Sequence, residues 1–307
     1  MEQPTLLPVP LRNPRLHDPK LYRPSKGLED AVQVALLLGQ PLLVTGEPGT
    51  GKTELARFIA DRYGLDKPLV FNAQTSSSAN DLFYKYDALA HFQYSHNQAA
   101  AALTLAQVEE KFIRYQALGA AIRAQKRTVV LIDEVDKAPR DLPNDVLAAI
   151  EKLEFRVPEV GQTYAAEQEH RPIIVLTSNS EKNLPDAFLR RVVYYHISFP
   201  KAAELLEILH SKLGPDPEKQ LPGYDKAALD PLVAHFEEIR DSKQLRKNPA
   251  TAELIQWVSL LHHYGFQPSV LDGKLSADDR ALLLKSYPVL AKNKDDLQTL
   301  AERAKKL

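Results

Sequence analysis

The stretch from residue 46 to residue 53 constrains the fold of this chain more than any other. Its eight residues are Gly46, Glu47, Pro48, Gly49, Thr50, Gly51, Lys52 and Thr53. They match the pattern G-x-x-x-x-G-K-[ST] of a phosphate-binding loop at every position. Because glycine tolerates positive φ, the three glycines let the backbone turn tightly and point its N–H groups toward one centre. The pattern predicts a polyphosphate site in which Lys52 reaches the terminal phosphates and the Thr53 hydroxyl binds Mg²⁺.

The flanking segments fit the order of strand, loop and helix that such a loop requires. Residues 41–45 are mostly apolar and predict a short buried strand. Residues 53–63 carry apolar side chains at a helical spacing, and Gly64 is placed to end that helix. The positive end of the helix dipole would then face the phosphates. Since Glu54 lies in the first turn of this helix, we expect residues 46–54 to line the nucleotide site.

Composition and charge narrow the class of protein. At 307 residues the chain suits about two domains, and its 44% hydrophobic and 26% charged residues are ordinary for a globular protein. A net charge of −1 provides no global basic field, so neither nucleic acid nor an anionic membrane is expected as a partner. The absence of cysteine excludes disulfides and thiolate chemistry and agrees with a cytoplasmic location. Residues 1–24 lack a hydrophobic signal core, and the apolar run 31–38 is too short to span a bilayer.

Strand and helix patterns alternate up to Pro200 and are followed by helical patterns alone. Candidate strands cover residues 41–45, 68–72, 128–132, 172–176 and 194–199. Candidate helices in the same part cover residues 25–38, 53–63, 99–125 and 142–153. This alternation predicts a mostly parallel sheet covered by helices on both faces. We therefore expect an α/β nucleotide-binding domain at residues 1–200, with residues 1–24 as an extended arm, and an all-helical domain at residues 201–307.

Two acids follow the third candidate strand. Asp133 and Glu134 come directly after the apolar residues 129–132. In a parallel sheet the carboxyl ends of the strands form the edge where phosphates bind. Asp133 can hold Mg²⁺ through water, and Glu134 can orient and deprotonate an attacking water. Beside a phosphate loop this pair favours hydrolysis over two solvated loop acids.

Two further polar positions fit the same chemistry. Asn179 follows the fourth candidate strand and could bond the attacking water or the γ-phosphate, although an asparagine at a strand end is usually a turn former. Arg190 and Arg191 follow a short helical segment. An arginine supplied across a subunit boundary stabilises charge on the transferring phosphoryl group. Surface salt bridging is the simpler interpretation for one of the two arginines.

In this order and spacing the motifs resemble those of the AAA+ ATPases. Residues 46–53 resemble the Walker A motif, residues 129–134 the Walker B motif and Asn179 the sensor 1 position. Arg191 aligns best with the arginine finger, and Arg190 is the second choice. Finer features are similar to the MoxR branch: the segment 81–87, and the stretch 154–169, which predicts a hairpin around Gly161. The likeness covers roughly residues 22–265.

The resemblance implies a three-layer αβα P-loop domain with a parallel sheet, followed by an all-helical lid. It implies Mg²⁺-dependent hydrolysis of ATP to ADP and phosphate by a homo-oligomeric ring, most often a hexamer. It further implies work as a chaperone or remodeller of a partner protein, in some relatives one with a von Willebrand factor A domain. The sensor 2 position departs from the family because the comparable segment, residues 247–251, has no arginine. Arg246 and Lys247 are the available substitutes.

Three alternatives remain open to the sequence: a nucleic-acid motor or loader, a small-molecule kinase and a nucleotide-gated scaffold. The near-neutral charge disfavours the first. Glu134 beside Asp133 disfavours the second, since a kinase must protect its phosphate from water. The intact set of Lys52, Asp133 and Glu134 disfavours the third.

Aromatic residues concentrated between positions 83 and 94 allow two interpretations. They could grip a substrate protein or a nucleic-acid base. Packing of an inserted segment against the core is the simpler expectation and is favoured on aromatic packing alone.

Overall fold

The computed structural model describes residues 9–97, 103–139, 142–180, 184–215, 223–242, 244–273 and 275–307. Contacts divide the chain into two compact units. The α/β unit consists of Pro24–Glu47 and Gly51–Ile197. The helical unit consists of Ser198–Leu307, the residues before Pro24 and the three residues Pro48–Thr50.

The α/β unit is built on a five-stranded parallel sheet. The strands, numbered along the chain, are β1 Leu42–Gly46, β2 Leu69–Asn72, β3 Tyr84–Tyr86, β4 Ile113–Tyr115, β5 Val129–Asp133, β6 Glu154–Val157, β7 Gln162–Ala165, β8 Ile173–Ser178 and β9 Val193–Ile197. The large sheet has the order β2-β5-β8-β1-β9, and all its neighbours are parallel. The predicted fold class, a parallel α/β domain followed by a helical region, is confirmed.

Buried apolar side chains explain why three strands occupy the centre of this sheet. Residues 42–44 of β1, 129–132 of β5 and 174–176 of β8 are all almost completely buried. Strands that are covered on both faces must be apolar at consecutive positions rather than at alternate ones. The sequence pattern of these segments meets that requirement, and polar residues occur only in the last one or two positions of each strand.

The helices are numbered in the same way. They are α1 Lys26–Leu38, α2 Lys52–Arg62, α3 Ala88–Asn97, α4 Leu105–Phe112, α5 Ala117–Arg123, α6 Leu142–Lys152, α7 Asp186–Leu189, α8 Ala202–Leu213, α9 Lys226–Asp241, α10 Thr251–His263, α11 Ala277–Ser286 and α12 Lys294–Ala304. None of the helices within the described residues is long and apolar enough to cross a membrane.

The prediction of one helix over residues 99–125 is wrong. Its described part contains α4 and α5 with β4 between them, while residues 98–102 lie outside the described part. β4 pairs antiparallel with β3, with Tyr115 opposite Tyr84. A strand that is stabilised by a partner about 30 residues earlier in the chain leaves little local signal, and the alanine-rich surroundings favour helix.

The aromatic residues near this strand pair mostly pack. Phe83 is buried and stacks on Phe155 with 4.9 Å between ring centroids. His91 stacks on Phe112 at 4.5 Å, whereas Phe92 is 62% exposed. Packing between the inserted segment and the β6–β7 hairpin therefore accounts for Phe83. The hairpin itself is confirmed, with Gly161 at φ +65° where it turns.

Residues 9–23 are less extended than predicted and belong to the helical unit. They include a short 3₁₀ helix, Pro19–Leu21, whose first turn is capped by the Asp18 side chain. The Asn13 side chain donates to the Lys212 carbonyl at 3.2 Å, and the Lys212 ammonium donates to the Leu16 carbonyl at 2.7 Å. These hydrogen bonds attach residues 9–23 to α8 and so to the helical unit. Contacts between segments that are this far apart in the chain cannot be predicted from the proline content of residues 9–23.

A histidine buried in the core of the helical unit predicts acid sensitivity. His235 stacks on Trp257, its Nε2 lies 3.0 Å from the Tyr287 hydroxyl, and burial lowers its pKa to about 4. The unfolded chain takes up this proton below pH 6.5 and the folded chain does not, so stability falls between pH 6.5 and pH 4. At pH 5 the loss from this residue is about 2 kcal/mol relative to pH 8.

Urea unfolding at different pH values, followed by the fluorescence of Trp257, measures this loss of stability. Trp257 is the single tryptophan and stacks on His235. We expect His235→Phe to unfold with a weaker pH dependence than the wild type. His263→Gln alters an exposed histidine and is expected to keep the full dependence. Equal pH dependence in all three proteins would contradict the assignment.

Candidate active site

The phosphate-binding loop begins where β1 ends and finishes where α2 begins. Gly46, Gly49 and Gly51 have φ of +149°, +77° and +89°. These values lie in a region that residues with a Cβ rarely adopt. The three glycines of the motif therefore stand at positions where the backbone requires them. Gly51 is also the residue that precedes the first turn of α2.

Lys52 is buried and joins the loop to the end of β8. Its ammonium donates to the Gly46 carbonyl at 2.7 Å, the Glu47 carbonyl at 2.9 Å and Asn179 Oδ1 at 3.1 Å. Burial lowers the pKa of Lys52, an effect opposed most strongly by the nearby charge of Asp133. β1 and β8 are adjacent parallel strands, so their carboxyl ends bring together two residues that are 127 positions apart.

Thr53 and Asp133 face each other on the first turn of α2 and the end of β5. The Thr53 hydroxyl lies 3.2 Å from Asp133 Oδ2 and 3.4 Å from Oδ1. A hydroxyl and a carboxylate are hard oxygen donors that fit Mg²⁺, which is usually held by one or two carboxylates together with phosphates and water. Within the described part of the chain, no group of three or more His, Cys, Asp or Glu forms a metal site. A cation at Thr53 and Asp133 would thus take its other ligands from a nucleotide and water.

Glu134 lies immediately beyond the sheet in a left-handed backbone conformation, with φ +56°. Its backbone N–H donates to Thr177 Oγ1 at 2.9 Å. Its carboxylate accepts from Lys137 Nζ at 2.5 Å, and the Glu134 side chain is 42% exposed. The predicted base is therefore next to Asp133, accessible to water and paired with a cation.

Three further residues contact the cluster at this edge, and none of the sequence motifs includes them. Thr177 carries a buried hydroxyl two positions before Asn179. Asp136 and Lys137 lie in a 3₁₀ turn, Val135–Lys137, which precedes α6. Lys137 pairs with Glu134, and Asp136 accepts from the Asn179 backbone at 3.4 Å. The sequence signal for Thr177 is its place at the polar end of β8, after four apolar residues and just before Asn179.

Arg190 and Arg191 lie at the amino ends of the strands, on the side of the sheet opposite the phosphate loop. β9 begins at Val193, two residues after Arg191, and the Val193 N–H donates to the carbonyl of Pro41, which precedes β1. Both arginines line a surface cleft of about 180 Å³, where Arg191 Nε lies 3.7 Å from a Glu151 oxygen. The phosphate loop follows the other end of β1. A five-residue strand is about 16 Å long, which is more than an arginine side chain spans.

Other predicted positions have partners of their own. Glu54 lies in the first turn of α2, and its carboxylate pairs with Arg57 at 2.5 Å. Of the two substitutes for a sensor 2 arginine, Arg246 pairs through its guanidinium with Asp295 at 2.7 Å. The Lys247 backbone donates to the buried Asp296 carboxylate at 3.3 Å. The Arg246 pair is exposed on both sides and contributes little to stability.

Comparison with known proteins gives a family match for about half of the chain. Residues 41–192 match the family model of the AAA domain (dynein-related subfamily). The Lon protease of Mycoplasmopsis agalactiae is 25% identical over 221 residues, which is 67% of this chain and 20% of that protein. The chain thus spans about a fifth of the length of this relative.

Solved structures with a similar backbone include a branch migration motor and an AAA domain. The RuvB Holliday junction branch migration motor of Thermotoga maritima has a TM-score of 0.46 at 17% identity, over 85% of this chain and 74% of that chain. The FIGL-1 AAA domain in complex with ADP has a TM-score of 0.43 at 15% identity, over 92% of this chain and 88% of that chain. At TM-scores below 0.5, neither likeness bears on the activity of this chain.

Proposed function

From the match of residues 41–192 to the family model of the AAA domain, we propose that the protein is an ATPase that hydrolyses ATP to ADP and phosphate with Mg²⁺. The observation that carries the proposal is the cluster at the carboxyl edge of the sheet. Lys52 and Asn179 are in contact there, and Thr53 faces Asp133. Glu134 follows directly with an accessible carboxylate.

Each residue of the cluster has a distinct task in this proposal. The backbone N–H groups of the loop and the Lys52 ammonium bind the β- and γ-phosphates. Thr53 and Asp133 hold Mg²⁺, which when bound neutralises charge on the phosphate oxygens. Glu134 accepts the proton of the attacking water. The Asn179 amide, already 3.1 Å from Lys52 Nζ, bonds the γ-phosphate or that water.

The ion pair with Lys137 does not prevent Glu134 from acting as the base. Both side chains are about half exposed, at 54% for Lys137 and 42% for Glu134. Exposed pairs of this kind contribute about 1 kcal/mol or less. Glu134 can therefore leave Lys137 at small cost when a nucleotide and water occupy the site.

Phosphate release from ATP by the purified chain, with Mg²⁺ and no acceptor, tests the proposed reaction. We expect turnover that EDTA abolishes. Transfer to a small-molecule acceptor without release into water would identify a kinase. ATP binding without turnover would identify a nucleotide-gated scaffold. Turnover that requires DNA or RNA and declines steeply with salt would identify a nucleic-acid motor.

The arginines support a site that is completed by a second subunit. Within one chain, Arg190 and Arg191 lie at the amino edge of the sheet, and the phosphate loop lies at its carboxyl edge. An arginine of one subunit could reach only the nucleotide of another. We therefore propose a homo-oligomeric ring, a hexamer by family resemblance, in which Arg191 acts in trans and Arg190 is the second choice.

Replacement of Arg191 is expected to inactivate the enzyme without preventing ring formation. Arginine fingers contribute about 10³-fold or more to kcat, so Arg191→Ala should show a loss of that order, and Arg190→Ala a much smaller one. Mixing Arg191→Ala with Glu134→Gln subunits should restore partial turnover, because some interfaces then combine an intact Glu134 with an intact Arg191. Phosphate release and mass photometry measure turnover and assembly. Full activity of Arg191→Ala would exclude it as the finger.

The biological output proposed is remodelling of a partner protein by a MoxR-like, cytoplasmic ATPase. Support comes from residues 81–87 and the β6–β7 hairpin, which resemble that branch. A von Willebrand factor A domain protein is the partner class that the resemblance suggests. ATP-dependent capture of one protein by the Glu134→Gln variant tests this role, with the Lys52→Ala variant as the control. Capture that is equal with and without ATP would contradict it.

A further inference from the structure

One hydroxyl lies between the two acids of the candidate site. Thr177 is fully buried in β8, the strand that separates β5 from β1. Its Oγ1 bonds to Asp133 Oδ1, at the end of β5, and accepts from the Glu134 backbone N–H at 2.9 Å. A residue of the neighbouring strand therefore contacts both acids at once.

The donor and acceptor capacities of the Glu134 N–H, the Thr177 hydroxyl and the Asp133 carboxylate determine the direction of both hydrogen bonds. A backbone N–H only donates, and an ionised carboxylate only accepts. The Thr177 hydroxyl must therefore accept from Glu134 and donate its own proton to Asp133. With Oδ1 engaged by Thr177, Oδ2 is the carboxylate oxygen closer to Thr53, at 3.2 Å. The hydroxyl thus sets the rotation of the carboxylate that faces the cation position.

The Thr177 hydroxyl also stabilises the backbone conformation of Glu134, because it accepts the Glu134 N–H. A residue other than glycine in the left-handed region costs about 1 kcal/mol or more. Glu134 has φ +56°, and its N–H bond to Thr177 stabilises this conformation. Since the backbone angle sets where the side chain begins, Thr177 also influences the direction of the base.

We propose that Thr177 is a positioning residue that orients Asp133 toward Mg²⁺ and Glu134 toward the attacking water. The proposal rests on the ATPase function proposed above. Thr177 touches neither nucleotide nor water in this scheme and acts through the two acids. Loss of a hydrogen-bond partner of a metal ligand typically lowers metal affinity or activity about 10- to 100-fold.

Thr177→Val removes the hydroxyl and keeps the shape of the side chain. We expect kcat to fall about 10- to 100-fold and KM for ATP to change less than about threefold, because Lys52 and the loop are intact. The Mg²⁺ concentration that half-saturates binding of a fluorescent ATP analogue should rise about tenfold. This binding measurement does not depend on turnover.

Two matched variants separate positioning from simple stability. Thr177→Ser restores the hydroxyl and should keep kcat within about threefold of the wild type. Thr45→Val removes a buried hydroxyl of the same sheet that lies 3.0 Å from the Tyr194 hydroxyl and 2.9 Å from His196 Nδ1. It should lower the melting temperature without the change in Mg²⁺ dependence. Failure of the serine variant to restore activity, or an equal effect in Thr45→Val, would overturn the proposal.

Different experimental results would contradict the role of Thr177 and the proposed ATPase function. If the wild type hydrolyses ATP and Thr177→Val keeps its kcat and Mg²⁺ dependence, Thr177 does not position the acids. If the wild type releases no phosphate, the ATPase assignment fails. In that case the Mg²⁺ dependence of analogue binding still tests the proposed role of Thr177. Equal Mg²⁺ dependence in the wild type and in Thr177→Val would show that Thr177 does not position the acids.

Discussion

Glu134→Gln is expected to retain ATP binding and to hydrolyse ATP about 10²- to 10⁴-fold more slowly than the wild type, the range that a general base contributes. Glutamine keeps the size of the side chain but cannot accept a proton from water. The Glu134 side chain is 42% exposed, and its backbone bond to Thr177 is unaffected, so the fold should not change. Phosphate release under saturating ATP and Mg²⁺, together with the affinity for an ATP analogue, measures the two effects separately.

The matched control for this variant is Glu169→Gln. Glu169 is exposed in the 3₁₀ helix Gln168–His170 before β8, and its replacement removes the same charge at a distance from the cluster. We expect wild-type turnover in this control. Unchanged hydrolysis in Glu134→Gln would contradict the base assignment and would direct attention to another proton acceptor at the sheet edge.

Lys52→Ala is expected to reduce nucleotide affinity by about 100-fold or more. Each bond from the ammonium to a phosphate oxygen is charge-assisted and contributes about 1.5–3 kcal/mol. Burial lowers the pKa of Lys52, so the folded chain gains little from the charge itself. The variant also loses the bonds of the ammonium to the Gly46 and Glu47 carbonyls and to Asn179, and the melting temperature without ATP measures the cost of that loss.

Thermal shift with ATP measures this effect in a single experiment. Ligand that binds the folded state raises stability by about RT ln(1 + [L]/Kd), so the wild type should melt at a higher temperature with ATP and Lys52→Ala should not. Lys126→Ala, which breaks an exposed pair with Asp66, is the control and should respond like the wild type. An unchanged shift in Lys52→Ala would show that Lys52 does not bind the phosphates.

The nucleotide loop could be predicted because its information is local. Eight consecutive residues contain the glycines, the lysine and the threonine, and three glycines have the positive φ values that the loop requires. The residues at the carboxyl edge were predictable for a more general reason. Parallel strands end at the same edge, so acids and amides after apolar runs are expected there, and Asp133 and Asn179 do lie there beside Thr53 and Lys52.

The inserted segment shows where local information was insufficient. The alanine-rich neighbours of β4 favour a helix and predict one over this segment. Its strand conformation depends on pairing with β3, which lies about 30 residues earlier in the chain. Pairing between distant segments leaves no periodicity in either segment that a short window can detect.

The sequence by itself determined that this chain has a phosphate loop, a parallel sheet and acids at the sheet edge, because each depends on consecutive residues or on the common direction of the strands. Only the tertiary structure decided which groups are in contact. Thr177 reaches both acids because β8 lies beside β5. Arg190 and Arg191 precede β9, which runs parallel to β1, so they lie at the amino ends of these strands, opposite the phosphate loop. Strand order and direction are set by packing between distant segments, and they bring Thr177 to the two acids and keep the arginines away from the phosphate loop of the same chain.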